Sequence, residues 1–313
     1  MSGPARAVGV PNYSSAGTTG FIPTLWASRL VEKHYSATVF GEIANTDYEG
    51  TISAQGDSVV IRTVPSMIIR DYQIGGGLTY DQPASDSVTL QIDKAKYFAF
   101  KINDVDAYQA DVKLMSEFSD DGGEQMKIAI DTDILARHYA EAHASNAGDV
   151  AGVKSGAYNL GKAGAPVLLT KDNVLDTLVD CGSVLDEQNV PEQGRWVILP
   201  AWANGLLKKS DLRDASIMGD ATSVFRNGKV GMLDRFTVFI SNNLSAVDDA
   251  TAGKKATNIM FGHKKGLTYA SQMTQMETLK NPNDFGSLVR GLNVYGSKVI
   301  DNTCIGHLYA ARG

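Results

Sequence analysis

The side chains able to do chemistry are few in this sequence, and their spacing is poor. His138, Glu141 and His143 are the only tempting cluster of metal-ligating types. A helical zinc motif holds two histidines four residues apart, on one face. Here they are five apart, and a helix turns the second away from the first. His34, His263 and His307 stand alone. No Gly-x-Ser-x-Gly elbow offers a nucleophile. Gly75-Gly76-Gly77 lacks the Lys-Ser/Thr of a phosphate loop and the spacing of a dinucleotide fingerprint, and suits a hairpin tip. Asp104 with Asp106, and Asp131 with Asp133, are two residues apart, and such pairs do not face each other on a helix. Trp26, Trp196 and Trp202 lack the basic surroundings that base stacking uses and read as core or interface anchors. No catalytic residue, cofactor or metal is expected.

The totals narrow the classes further. The chain has 313 residues, 43% hydrophobic and 20% charged, with net charge -6. That is ample for a core and suggests about two domains. The pI of about 5.4 is low for a protein that grips phosphates, and only pairs such as Lys208-Lys209, Lys254-Lys255 and Lys264-Lys265 are basic. These pairs are expected to be solvated loop surface. No apolar run reaches membrane-spanning length, and residues 1–10 lack the layout of a secretory signal, so a cytosolic product without a membrane partner is expected. Cys181 and Cys304 are too few for a disulfide framework and are expected to be buried and inert.

Elements that could position side chains are clearer than any site. Residues 1–22 read as an extended arm. Leu25, Trp26, Leu30, Val31 and Tyr35 recur at helical spacing, which predicts a helix over 24–40. Two long strand-like runs follow, 57–70 and 86–102, joined by the glycine-rich turn. Typical strands run about five or six residues, and an isolated ribbon is marginal in water. In the second run Val88, Leu90 and Ile92 alternate with Thr89, Gln91 and Asp93, giving one apolar face. No cover for that face is evident in the chain, so a neighbouring copy is expected to supply it. A helical region is predicted over 105–143, broken near Gly122-Gly123, where Asp121 to Glu124 resembles a capping box. Its two apolar stripes, Met126, Ile130 and Ile134 on one side and Ile128, Leu135 and Tyr139 on another, make it a spine packed on both sides. Residues 145–166 read as a connector. A second unit holds a helix over 172–188 with Leu175, Leu178, Val179 and Leu185 inward, strands at 195–200 and 236–241, a short helix at 201–209 and loops at 211–227. Residues 242–256 look polar and mobile. Strands at 258–262, 266–270, 289–300 and 303–310 close the chain.

Four phrases stand out in order: Leu185-Asp-Glu-Gln-Asn-Val-Pro191 leading into Arg195-Trp-Val-Ile-Leu-Pro200; Asn227-Gly-Lys-Val-Gly231 leading into Phe239-Ile-Ser-Asn-Asn243; Phe261-Gly-His-Lys-Lys-Gly-Leu267; and Asn283-Asp-Phe-Gly286 followed by Gly291-Leu-Asn-Val-Tyr-Gly296. With the order of elements, they make essentially the whole chain resemble tailed-bacteriophage major capsid proteins of the Hong Kong 97 type.

The resemblance implies an α+β fold. It has an N-arm at 1–52, an extended E-loop at 53–101, a discontinuous P-domain at 102–147 and 256–302 with the spine helix, and an A-domain at 148–255 and 303–313. It implies a structural protein that assembles as pentamers and hexamers into an icosahedral head around double-stranded DNA, in the host cytoplasm. A separate scaffolding protein is expected because no charged N-terminal scaffold segment is present. A portal, a decoration protein and non-specific contact with packaged DNA complete the partners. Contacts between subunits are expected at Arg62, Arg70, Asp71, Lys94 and Lys96 of the E-loop, and at Trp26 and Tyr35 of the N-arm helix. The rivals are an encapsulin-type shell with an enzyme cargo and, more distantly, a metal-dependent enzyme using His138, Glu141 and His143.

Overall fold

A computed structural model describes residues 35–47, 58–62, 67–75, 77, 80, 82, 87–103, 114–210, 232–282 and 284–313. Trp26, the arm at 1–22 and the loops at 211–227 lie outside them.

The core sits on both faces of a seven-stranded mixed sheet. Its path runs β4 (Val167–Leu169), β12 (Ile305–Arg312), β9 (Lys254–His263), β5 (Arg195–Leu199), β7 (Phe236–Ile240) and β6 (Met232–Leu233), with β8 (Ala246–Asp249) also on β9. The run Trp196-Val-Ile-Leu199 is apolar without alternation because every residue of β5 is buried, as in a sheet covered on both faces. Val197 and Leu199 meet α3 (Val174–Glu187) and α4 (Ala201–Leu207) on one side. Trp196 and Ile198 meet the other helices on the opposite side. Each fully buried side chain of this size contributes roughly 1.5–3 kcal/mol.

That opposite side carries α1 (Phe40–Ile43) and the long helix α2 (Leu114–Arg137), which ends in a 3-10 turn, His138–Glu141. The expected break at Gly122-Gly123 is absent, and residues 121–124 lie inside the helix. A Cβ on Gly122 would sit 2.9 Å from the Phe98 ring, so the glycine admits a neighbouring strand and does not end the helix. Residues 35–39 are not helical, contrary to the helix drawn through to 40, and the described helix starts at Phe40. Asp131 explains that start. Its buried carboxylate accepts the Val39 and Phe40 amides at 3.0 and 2.9 Å and the Asn243 side-chain amide at 2.7 Å.

A second sheet of three antiparallel strands, in the order β10 (Leu267–Lys280), β11 (Gly286–Val299), β3 (Lys94–Asn103), lies against α2. The expected long hairpin is corrected here. Only β1 (Ser58–Arg62) and β2 (Ser87–Gln91) pair with each other, while β3 pairs with β11. The chain changes partner at Ile92 and Asp93. The apolar face of the pair is also covered from within the chain: Ile61, Leu90 and Ile92 pack on Ala270, Val294 and Ile300. Gly296 permits this, because a side chain there would strike the Gln91 carbonyl.

Two further expectations change. Residues 246–257 form an ordered hairpin of β8 with the start of β9, so Lys254 and Lys255 lie on a strand. Val179 is 47% exposed, on the outer face of α3. Strand β9 is a central strand of the larger sheet. Cys181 and Cys304 are free and buried as expected. No described helix is long and apolar enough to cross a membrane.

Candidate assembly surface

Beyond β1 the described residues 67–75, with 77 and 80, carry no regular structure and an unusual surface. Met67, Ile68, Ile69, Tyr72, Ile74 and Tyr80 all face solvent, Ile69 at 91%, Ile74 at 95% and Tyr80 at 87%. Scattered single apolar residues on a surface are ordinary. Six within fourteen positions make a patch of the kind that marks an interaction site. The base of this excursion is fixed to its own subunit through Leu90 and Ile92, while its distal part is bare.

The outer face of the three-stranded sheet is a second open surface. Tyr97, 78% exposed, and Ala99 on β3 line a shallow depression of about 340 Å³ with Gln275, Glu277, Arg290 and Leu292. Arg290 donates from Nε to Glu277 at 2.9 Å across β10 and β11. The opposite face of β3 turns to α2, where Phe100 meets Phe118 edge-on.

The residues expected to make contacts between subunits do not form one patch. Arg62 is the exposed last residue of β1, opposite Ser87. Arg70 and Asp71 lie in the bare segment and are exposed. Lys94 and Lys96 share one face of β3 with Phe98 and Phe100, on the side facing α2. There Lys94 acts on Asp133, a carboxyl that burial raises but that hydrogen bonds from Arg137 and Tyr295, with the charges of Arg137 and Lys94, leave below its ordinary range. The Tyr35 hydroxyl donates to Asp121 of α2 at 2.9 Å, which pins the segment before α1 to its own subunit. The apolar residues between Met67 and Tyr80 are the stronger signal, and a strand drawn only to Arg70 leaves those beyond it unremarked.

The histidine cluster is structural. His138 sits between Glu141 Oε1 at 3.0 Å and Ser297 Oγ at 2.8 Å, while Lys298 donates to Glu141 Oε2 at 3.0 Å. These contacts hold the end of α2 to β11. Hydrogen bonding from His138, and then from Lys298, takes the Glu141 carboxyl down to about 2 despite burial. His143 points elsewhere, accepting the Ser145 amide at 3.2 Å. No metal-binding group of three occurs among the described residues.

The described parts of the four sequence phrases acquire physical meanings, residues 227–231 and 283 lying outside the described residues. Arg195, 1% exposed, donates to Asp186 and the Val190 carbonyl at 2.6 Å each, and to Pro191 and Gly182 carbonyls. It thereby ties the end of α3 to β5. Ser241 donates to the Ala37 carbonyl at 3.1 Å, beside the Asn243 contact with Asp131. His263 lies 2.7 Å from the Gln193 carbonyl. Tyr295 donates to Asp133 at 2.9 Å, and Gly291 gives room to the Phe98 ring. These residues position elements and do no chemistry.

A mixed α/β body with an apolar excursion fits the Hong Kong 97-like class of structural proteins. The chain belongs to the phage capsid protein family, whose model matches residues 87–305, more than half its length. A solved structure from Mycobacterium phage Che8 is 28% identical, covers 93% of this chain and 98% of its own, and superposes with a TM-score of 0.74. The capsid of cyanophage P-SCSP1u shares the fold at 18% identity, complete coverage of both chains and a TM-score of 0.70. The capsid of a native GTA particle does so at 14% identity, 96% and 100% coverage and a TM-score of 0.65. No curated protein sequence matches. This is a virion capsid protein and not an enzyme.

Proposed function

We propose that many copies of this chain, as pentamers and hexamers, build the icosahedral shell of a phage head around double-stranded DNA. The observation that carries this is the cluster of exposed apolar side chains between Met67 and Tyr80 in a chain of a capsid family. It is the E-loop of the proposed division, and it lies on an adjacent subunit, with Arg70 and Asp71 setting register by charge. Arg62, Trp26 and Tyr35 are proposed as lesser contacts. The physical logic is multivalency. Each contact is modest, but once one forms the next is effectively intramolecular.

The N-arm at 1–52, P-domain at 102–147 and 256–302, and A-domain at 148–255 and 303–313 complete the division. Sheet membership favours moving the boundary at 256 to follow His263. A scaffolding protein, portal and decoration protein are the further partners, with assembly in the host cytoplasm and loose contact with DNA. Electron microscopy of the purified protein, alone and with candidate scaffolding protein, tests the reading. Closed shells with five-fold and six-fold rings are expected. Monodisperse monomers under both conditions would reject it.

A further inference from the structure

The carboxyl ends of the parallel strands β5, β7 and β12 open onto a crevice of about 380 Å³ lined by Pro200, Trp202, Leu244, Thr257, Lys255 and Arg312. The register that pairs Ala311 with Ala256 carries Arg312 opposite Lys255 on neighbouring strands. Like charges directly opposite in a sheet repel. Asp248 stands opposite Lys255 on its other side, giving one carboxylate for two cations. Neither cation makes an ion pair among the described residues, and both are exposed. The crevice therefore holds a surplus of positive charge beside an apolar wall.

The opposite imbalance lies on α3 of the same unit. Asp176 and Asp180 are four residues apart on its outer face, where like charges also repel. The Asp180 carboxyl is raised by burial and then by Asp176. Neither aspartate makes an ion pair among the described residues. Val179 lies exposed beside them, on a helix whose other apolar residues turn inward.

We propose that the outer face of α3 of one copy docks into this crevice of the next copy. This rests on the shell reading above and names one contact within it. Spacing and chemistry agree. Carboxylate positions four apart on a helix are about 5–6 Å apart at Cβ, and opposed strand positions about 4.5–5.5 Å. Two aspartates thus meet two cations, while Val179 meets Trp202, Pro200 and Leu244. Two repulsions inside each subunit become two attractions between subunits, which favours the assembled state over the free one. Repeated around an axis, a contact between unlike surfaces closes a ring.

Charge reversal in pairs tests this. Asp176→Lys with Asp180→Lys, and separately Lys255→Glu with Arg312→Glu, are expected to keep the thermal unfolding of the free subunit and to lower particle yield roughly tenfold or more. All four changes together restore the particles. Unchanged yield in either pair, or a fourfold variant that folds but does not recover, overturns the contact. Should a reversed pair fail to fold, the amide and glutamine versions (D176N/D180N and K255Q/R312Q) replace it. These are expected to weaken the salt dependence of assembly relative to wild type, and a salt dependence equal to wild type overturns the contact equally. A wild-type protein that never forms particles rejects the shell reading itself, whereas particles indifferent to every variant reject only this contact.

Discussion

The Phe98 ring occupies the space that a side chain at Gly291 would need, and the same ring closes off Gly122 from the other side. One aromatic residue of β3 is thus clamped between β11 and α2 by two glycines. This joint sets how closely the three-stranded sheet approaches the long helix.

Neighbouring glycines in α2 should therefore respond with opposite sign. Gly123 has open space where a Cβ would go, whereas Gly122 faces the Phe98 ring at 2.9 Å. Gly123→Ala should stabilise the subunit by about 0.5–1 kcal/mol through helix propensity. Gly122→Ala should lose that gain to overpacking, which costs about 1–3 kcal/mol. Urea unfolding of the free subunit reads both. Equal stabilisation would show that the ring yields freely.

Asp131 should behave as the post that holds α1. Asp131→Ala orphans the Val39 and Phe40 amides and the Asn243 side chain. Each buried donor left unpaired costs about 1–3 kcal/mol. Hydrogen exchange is expected to accelerate at residues 39–44 beyond the loss of global stability. A uniform change across the chain would contradict this role.

Acid should loosen the subunit in two stages with the same sign. Burial lowers His307 to about 4 in the folded chain, below its ordinary 6.5. The unfolded state therefore takes up that proton first, and stability present above pH 6.5 is lost as pH falls towards 4. Glu141, at about 2 against 4.5, contributes stability present above 4.5 and lost as pH falls towards 2. Glu141 is partly exposed, so its contribution is screened to about 1–2 kcal/mol. Melting temperature against pH should show both losses, with His307→Gln flattening the first and Glu141→Gln the second. Profiles identical to wild type would contradict the assignments.

These contacts show what was legible beforehand and what was not. The continuous apolar run Trp196-Val-Ile-Leu199 identified β5, because a strand buried on both faces needs no alternation. Helical spacing identified α3 and the spine. Gly122-Gly123 misled because a glycine that admits Phe98 looks the same in sequence as one that ends a helix. The change of partner at Ile92 was invisible because β2 and β3 have equal strand character, and only β11 decides which of them it pairs with. Val179 looked inward on periodicity alone, although its flanking aspartates signalled a surface. The role of Arg195 is not legible in the sequence, since its partners at Asp186, Val190 and Pro191 meet it only when α3 folds back.

The central claim is that the segment from Met67 to Tyr80 is bare in a free subunit and covered by a sister copy in the shell. Single cysteines at Ile69 and Ile74 probe it directly, because burial raises both native thiols, Cys181 and Cys304, which leaves them unreactive. Rates of thiol labelling are measured for free subunits and for purified particles. The introduced thiols are expected to react rapidly in the free subunit and at least roughly tenfold more slowly in the particle. Equal labelling rates in the two states would contradict the account.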